Sequence, residues 1–479
     1  MDVSTLTDRI LAIDGQVWQP FAMPLVLVIV GGLLTVMTGF VQIRRFPIAF
    51  RMALGGLLHR EADSGAAITS FQALSTALAA TVGNGNIGGV ATAILIGGPG
   101  AVFWMWACAA VGMATKYAEA VLSVHYRVTR ETGELASGPM YYIMRGSANP
   151  GLGRVFAYLF AAFGSVTCLA GTGNMAQSNT VARTFVEAAR TLGVEVPLWV
   201  PGILITVSVG LVLLGGIKRI AATAERIVPL MIVIYVLTGL VYIVLNAGQL
   251  PHVLGLIFAE AFTPTAAVGG FAGASVAQAI AAGVSRGVLS NEAGLGSAPI
   301  VHGVANVKHP AEQGLVGVFE VFTDTIVVCS MTAFVILSSG LWTDVAYQGA
   351  SGDLTAAALS TTIPGASLIV ALSSFLFGFS TLIGWSYYGE KCFEFLFGSK
   401  MVLLYRALFT ALIMVGAVIS VPVVWAVGTL LNGFMAFPNL MGMLLLLGTV
   451  RAITRDYFEK RGQYSVAHPT TGARYDGRA

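Results

Sequence analysis

Residues 75–112 read STALAATVGNGNIGGVATAILIGGPGAVFWMWACAAVG. The stretch is apolar enough to enter a bilayer, yet Gly83, Asn84, Gly85 and Asn86 interrupt its first hydrophobic run. Glycine inside a helix costs about 1 kcal/mol relative to alanine, and asparagine favours caps and turns. Two of each in succession predict a helix that unwinds there. Within hydrocarbon, backbone groups freed in this way must be buried in protein or line a cavity. Paired broken helices at membrane depth are how many transporters build their binding sites, so residues 83–86 are the first candidate site.

Composition supports a membrane setting. Of 479 residues, 56% are hydrophobic and 10% charged, with a mean hydropathy of +0.80. Soluble domains carry roughly 25% charged residues. The chain therefore reads as an all-α polytopic membrane protein. A bilayer crossing needs about 20 apolar residues. About eleven segments qualify: 20–42, 68–96, 101–124, 155–177, 197–215, 228–246, 267–285, 314–338, 365–388, 402–421 and 424–449. Residues 290–307 are too polar for a span and read as a cytoplasmic or re-entrant segment. Cys108, Cys168, Cys329 and Cys392 fall in or beside spans, which suits small apolar core residues better than disulfides. Asp2, Asp8 and Asp14 outnumber Arg9 before the first span, unlike the basic start of a cleaved signal.

Lysine and arginine in the loops set orientation. With residues 1–19 outside, 22 of the 26 basic residues fall on the inner side. They include Arg44, Arg45, Arg127, Lys218, Arg219, Arg286 and the basic residues of the 450–479 tail. Only Arg9, Arg183 and Arg190 fall outside, while Lys116 lies within a span. The N-terminus is thus expected outside and the C-terminus in the cytoplasm. Setting aside the span at 20–42 leaves ten, which divide into two sets of five, 65–246 and 267–449. Five is odd, so the second set enters the membrane inverted. Each set opens with a glycine-interrupted span, at Gly83–Asn86 and at Gly269–Gly273, which points to an inverted-repeat transporter. Close helix packing is the alternative use of small residues.

Gly97-Gly98-Pro99-Gly100-Ala101-Val102-Phe103-Trp104-Met105-Trp106, the run Gly112–Glu119 and SRGVLSNEAGLGSAPI at 285–300 resemble the alanine/glycine:cation symporters, the sodium:alanine symporter family. The resemblance implies a LeuT-type fold and sodium-driven import of a small neutral amino acid, alanine or glycine, at the plasma membrane of a prokaryote. It implies no cofactor beyond sodium as coupling ion. Residues 81–86 are similar to the unwound first core helix of the bacterial leucine transporter. That likeness implies that amides near Gly83, Asn84 and Gly85 take the substrate carboxylate, as a helix N-terminus can. It further implies that carbonyls of Ala79, Val82 and Phe377 with the hydroxyls of Ser380 and Thr381 ligate sodium. Thr81 and Asn86 would belong to a second ion site.

Other polar residues in spans have two readings each. Gln177, in GTGNMAQSN, could bond substrate or another helix, and the resemblance favours substrate. Phe271, Ser275, Gln278 and Trp385 are candidate pocket walls by position. Ser380 and Thr381 could instead bond their own helix. Lys116 with Glu119, and Glu320 with Asp324, share helix faces at i,i+3 and i,i+4. Such charges either pair across helices or form a proton or gating relay led by Asp324. Proton coupling is therefore the rival to sodium. The six histidines form no HExxH pair and no GxSxG elbow is present, so nothing supports an enzyme. A channel lacks a repeated filter loop or rings of like charge, although a pore built from one chain stays open as an alternative.

Overall fold

Thr69 and Gln72 form a capping box that starts the first interrupted helix. The Gln72 amide donates to Thr69 Oγ1 and the Thr69 amide to Gln72 Oε1, each at 3.1 Å, which satisfies two donors at the helix start. The helix runs Ser70–Thr81, leaves helical geometry at Val82, and resumes as a π-helical turn Gly85–Gly89 and a helix Val90–Gly97. Its halves are bent by 50°. The unwinding expected from the two glycines and two asparagines is present. This computed structural model describes residues 3–19, 22–58, 68–130, 133–265, 273–347, 352–419 and 421–459.

Among the described residues, six helices are long and apolar enough to cross a membrane, and the bent pair makes up to seven. They include Pro150–Thr191, Gly216–Leu245, Pro310–Ser339 and Ala366–Phe397. Met23–Met37 and Trp199–Leu213 are apolar but shorter. Gly100–His125 and Val276–Asn291 are helices where further spans are expected. They pack against each other, and Gly100–His125 also packs against Pro310–Val321. Protein on these faces lets Lys116, Glu119, Ser290 and Asn291 be buried there. Elsewhere apolar side chains face outward: Leu230, Val233, Leu237, Leu240 and Val244 on one helix, Leu25, Ile29, Leu33 and Val36 on another. Rows of this kind suit lipid.

A second interruption stands where the sequence reads as a polar segment. Residues 266–272, which hold most of the Gly269–Gly273 motif, lie outside the described residues. Val276–Asn291 ends at Glu292, whose backbone is left-handed at φ 57°, and Gly294 and Gly296 follow at φ 92° and 82°. Helical geometry returns only at Pro299–His302. At these two glycines the backbone is in a region that residues carrying a Cβ rarely adopt. Residues 290–305 are buried throughout, so what reads as a polar loop is an interrupted helix end inside the protein. Arg286, expected in an inner loop, lies within the preceding helix. Just beyond, Ala305–Asn306 pair in parallel with Ile68–Thr69 and tie this segment to the foot of the first broken helix.

Two of the charged residues within spans, Lys116 and Glu320, pair across helices. Lys116 Nζ lies 3.2 Å from Glu320 Oε1 with both side chains fully buried. Glu320 Oε2 is 2.7 Å from His302 Nε2, His302 Nδ1 meets Gln313 at 2.7 Å, and Ser70 Oγ donates to Gln313 at 2.7 Å. Glu119 accepts instead from the amides of Gly294 and Gly296 and from Asn439 Nδ2. It therefore holds the second interruption in place. Cys108, Cys168, Cys329 and Cys392 are buried and free.

Candidate substrate and ion site

At the break, three amides leave the helical ladder. The Gly83 amide donates to Asn86 Oδ1 at 2.8 Å, the Asn84 amide to Gln177 Oε1 at 3.1 Å, and the Asn86 amide to the Gly83 carbonyl at 3.0 Å. In a continuous helix these amides would bond the carbonyls four residues back, of Ala79, Ala80 and Val82. Those carbonyls lose their helical donors, and two of them belong to the expected sodium set. Gln177 is itself oriented by donating Nε2 to the Thr172 carbonyl at 3.0 Å. Asn84 Oδ1 accepts from Ser374 Oγ at 2.7 Å.

The Ala366–Phe397 helix packs directly against the break. A Cβ on Gly83 would stand 2.5 Å from Thr381 Oγ1 and 3.4 Å from Gln177 Oε1. Gly83, Gln177 and Thr381 are thus brought together, and Gly83 is required by that approach. Ser380 and Thr381 behave differently. Ser380 Oγ donates to the Phe377 carbonyl at 2.9 Å, the back-bonding alternative. Thr381 Oγ1 is buried and has no hydrogen-bond partner among the described residues. An unpartnered hydroxyl packed against Gly83, at a break that releases carbonyls, fits a small hard cation, which takes oxygen ligands in place of water.

Asn86 links this region to an acid. Its Nδ2 donates to Asp324 Oδ1 at 2.6 Å, and Asp324 also accepts from Ser290 and Thr325 hydroxyls. Asp324 lies in a π-helical turn, Phe322–Cys329, which replaces regular helix within its span. Trp385 closes another side: it is buried and donates Nε1 to Glu292 Oε1 at 2.7 Å. A cavity between these groups is lined by Gly83, Gly85, Gln177, Thr381 and Trp385, joined by Arg286 and Glu292.

Not every expected residue is here. Phe271 lies outside the described residues. Ser275 and Gln278 are exposed and form a capping box at the start of Val276–Asn291, with Ser275 Oγ accepting from the Gln278 amide at 3.2 Å. The S-x-x-Q spacing carries that signal. Ser275→Ala is expected to cost about 0.5–2 kcal/mol of stability, read as a lower melting temperature, while leaving substrate affinity unchanged; a changed affinity would return Ser275 to the site. Arg286 and Glu292 are the charged cavity residues outside the predicted site set, and Thr172, Leu289 and Trp425 also line the cavity without having been predicted. A glutamate at a helix C-terminus opposes the helix dipole, and that mismatch is the signal by which Glu292 could be found.

The sequence pattern described as the sodium:alanine symporter family matches residues 3–470. The chain belongs to that family. The symporter is 46% identical over 462 residues to the sodium/alanine symporter AgcS of Methanococcus maripaludis, covering 96% of this chain and 98% of the relative. It is 39% identical over 425 residues to a Bacillus subtilis protein named "Probable sodium/glutamine symporter GlnT", covering 88% and 84%. A manganese transporter of Eremococcus coleocola resembles it in fold, with TM-score 0.50, 16% identity, and coverage of 80% and 78%. The symporter is accordingly a multi-pass membrane protein and a sodium-coupled amino-acid transporter, not an enzyme. The tryptophans of its Gly97–Trp106 motif join helices: Trp104 Nε1 donates to the Ala261 carbonyl at 3.0 Å and Trp106 Nε1 to Ser330 Oγ at 2.8 Å.

Proposed function

We propose that the symporter imports a small neutral amino acid, alanine or glycine, with sodium, by alternating access around its two interrupted helices. The observation that carries this reading is the unpartnered Thr381 hydroxyl packed against Gly83, at the break where the Ala79 and Val82 carbonyls lose their helical donors. Sodium bound among them bridges the first broken helix and the Ala366–Phe397 helix, so ion binding changes how those elements pack. Ser380 and the Phe377 carbonyl, already bonded to each other, turn to the ion as it arrives. Gly83, Gly85 and Gly89 line the cavity without side chains and favour a compact substrate. The frame is a LeuT-type 5+5 inverted repeat over 65–246 and 267–449, preceded by the 20–42 helix. The N-terminus faces outward and the C-terminus the cytoplasm of a prokaryotic cell.

Uptake of labelled alanine by purified protein in sealed vesicles tests the reading. An inward sodium gradient is expected to drive accumulation, and potassium substitution to abolish it. Ser380→Ala/Thr381→Ala is expected to raise the sodium concentration needed for half-maximal uptake by about tenfold or more, since each lost ligand to a charged group is worth about 1.5–3 kcal/mol. A specific observation favours a second reading: Asp324 is fully buried, bonded to the break through Asn86, and holds no ion pair among the described residues. It would carry a proton in a proton-coupled cycle. Uptake driven by a pH gradient, indifferent to sodium and lost in Asp324→Asn, would replace sodium coupling with that mechanism.

A further inference from the structure

Four arginines and one glutamate line a recess of about 620 Å³ at the foot of the first span. Its walls come from the C-terminal end of the Met23–Met37 helix, the turn that follows it, and the last helix, Leu447–Glu459. In the turn, Gly39 and Phe40 take left-handed backbone at φ 67° and 59°, which a residue carrying a Cβ rarely adopts. The chain folds back there, so that a Cβ on Gly39 would stand 4.0 Å from Arg44 Nη1. Arg45 lies over the Phe458 ring, 4.5 Å from its centroid, and Arg455 donates to Glu459 at 3.0 Å. Among the described residues, the Arg44, Arg45 and Arg451 guanidiniums meet no carboxylate and no other hydrogen-bond acceptor. Cations gathered around one recess repel each other, and a bound anion would offset that repulsion.

The surface beside the arginines says what kind of anion fits. Leu25, Ile29, Leu33 and Val36 are exposed, at the three- and four-residue spacing of one helix face. The row ends at Val36, which is 65% exposed and also lines the recess. A ligand that matches both has an apolar chain for the row and an anionic head for the arginines. Guanidinium groups take phosphate through paired N–H donors, and basic pockets between membrane helices at the cytoplasmic surface take anionic headgroups. The recess stands at the end of the Met23–Met37 helix that the proposed orientation turns to the cytoplasm. We propose that it holds the phosphate of an anionic glycerophospholipid, with Arg44 and Arg451 donating from the two walls and one acyl chain lying along Leu33 and Val36. The lipid then joins the first span to the last helix. That helix packs on Gly100–His125 and Pro310–Val321, and Tyr117 Oη donates to Thr454 Oγ1 at 3.2 Å. A lipid seated here fastens the end of the chain to the helices that carry Lys116 and Glu320. The recess shares no lining residue with the cavity at the first break.

The test is equilibrium binding of labelled dioctanoyl phosphatidylglycerol to the purified full-length protein in a neutral detergent. Dioctanoyl phosphatidylcholine, glycerophosphoglycerol and inorganic phosphate serve as competitors. Phosphatidylcholine keeps the chains but has no net charge; glycerophosphoglycerol keeps the anionic head without chains. Each competitor is expected to be weaker than phosphatidylglycerol by at least about tenfold. Arg44→Gln/Arg451→Gln should weaken phosphatidylglycerol by about tenfold or more. Lys218→Gln/Arg219→Gln removes the same charge from exposed positions outside the recess and should leave binding unchanged. Thermal unfolding without lipid shows that the variants are folded. Should the glutamine variant fail to fold, Arg44→Lys/Arg451→Lys keeps the charge, loses the paired donors and is expected to bind several-fold more weakly. Phosphate or glycerophosphoglycerol competing as well as phosphatidylglycerol overturns the lipid in favour of a free anion. Equal competition by phosphatidylcholine, undiminished binding in the Arg44/Arg451 variants, or an equal loss in the Lys218/Arg219 variant overturns the site. Self-association that the Arg44/Arg451 substitutions break, with no phosphatidylglycerol bound, overturns it in favour of a second copy of the chain. None of these readouts uses alanine uptake, so failure of the lipid site leaves the transport reading standing.

Discussion

Lys116→Met will destabilise the symporter by about 3–5 kcal/mol, the cost of leaving one member of a buried ion pair without its partner. Lys116 Nζ and Glu320 Oε1 are 3.2 Å apart and have no solvent exposure. Without the lysine, Glu320 keeps only its contact with His302, and the remaining charge has neither water nor a fixed cation. The chain of contacts continues through Gln313 to Ser70 at the foot of the first broken helix, so the damage should spread to that helix. Lys116→Met/Glu320→Gln should recover most of the loss, because both charges are then gone and the introduced amide still bonds His302. Thermal unfolding in detergent for the wild type, both single variants and the double variant measures the coupling directly. Additive losses would mean that the pair does not act as a unit. Full transport by a stable double variant would assign these charges to structure and leave a proton relay to Asp324 alone.

Gly83→Ala will reduce sodium-driven alanine uptake by on the order of 100-fold, the loss that a displacement of about 1 Å brings to a positioned group. Its Cβ would stand 2.5 Å from Thr381 Oγ1, closer than side-chain carbons approach hydroxyls, and 3.4 Å from Gln177 Oε1. The break or the Ala366–Phe397 helix must move, and either shift displaces the break relative to the Thr381 hydroxyl. Gly32→Ala is the control, since a Cβ there meets nothing within 4 Å. Vesicle uptake under a fixed sodium gradient compares the two, with protein quantity matched. Wild-type uptake by Gly83→Ala, or an equal loss in Gly32→Ala, would remove the break from the transport site.

Parts of this site are legible in the residues alone. The unwinding at Gly83–Asn86 follows from local propensity, and the helix duly bends there by 50°. Gln177 and Trp385 stand out as polar or aromatic exceptions next to glycine-rich helix, and both line the cavity. Ser275 passes for a pocket wall when only its position in the span is weighed; its spacing to Gln278 is the capping signal that places it elsewhere. The glycines at 269–273 lie mostly outside the described residues, and an interruption that the sequence reading did not place is found at Glu292, Gly294 and Gly296. Polarity makes that segment look like a loop; burial against other helices is what keeps it in the interior.

The sequence by itself determined that this chain lives in a membrane, that one helix must break at residues 83–86, and which family it joins. Each of these rests on local terms, transfer of side chains out of water and backbone preference, which sum along the chain. Only the tertiary structure decided that Lys116 pairs with Glu320 rather than with Glu119 one turn away, and that Asp324 bonds Asn86. It also brought Arg286 and Glu292 to the same cavity as Gln177 and Thr381. The first two of these meetings join residues 204 and 238 positions apart. They depend on how helices pack, a property that no window of sequence contains.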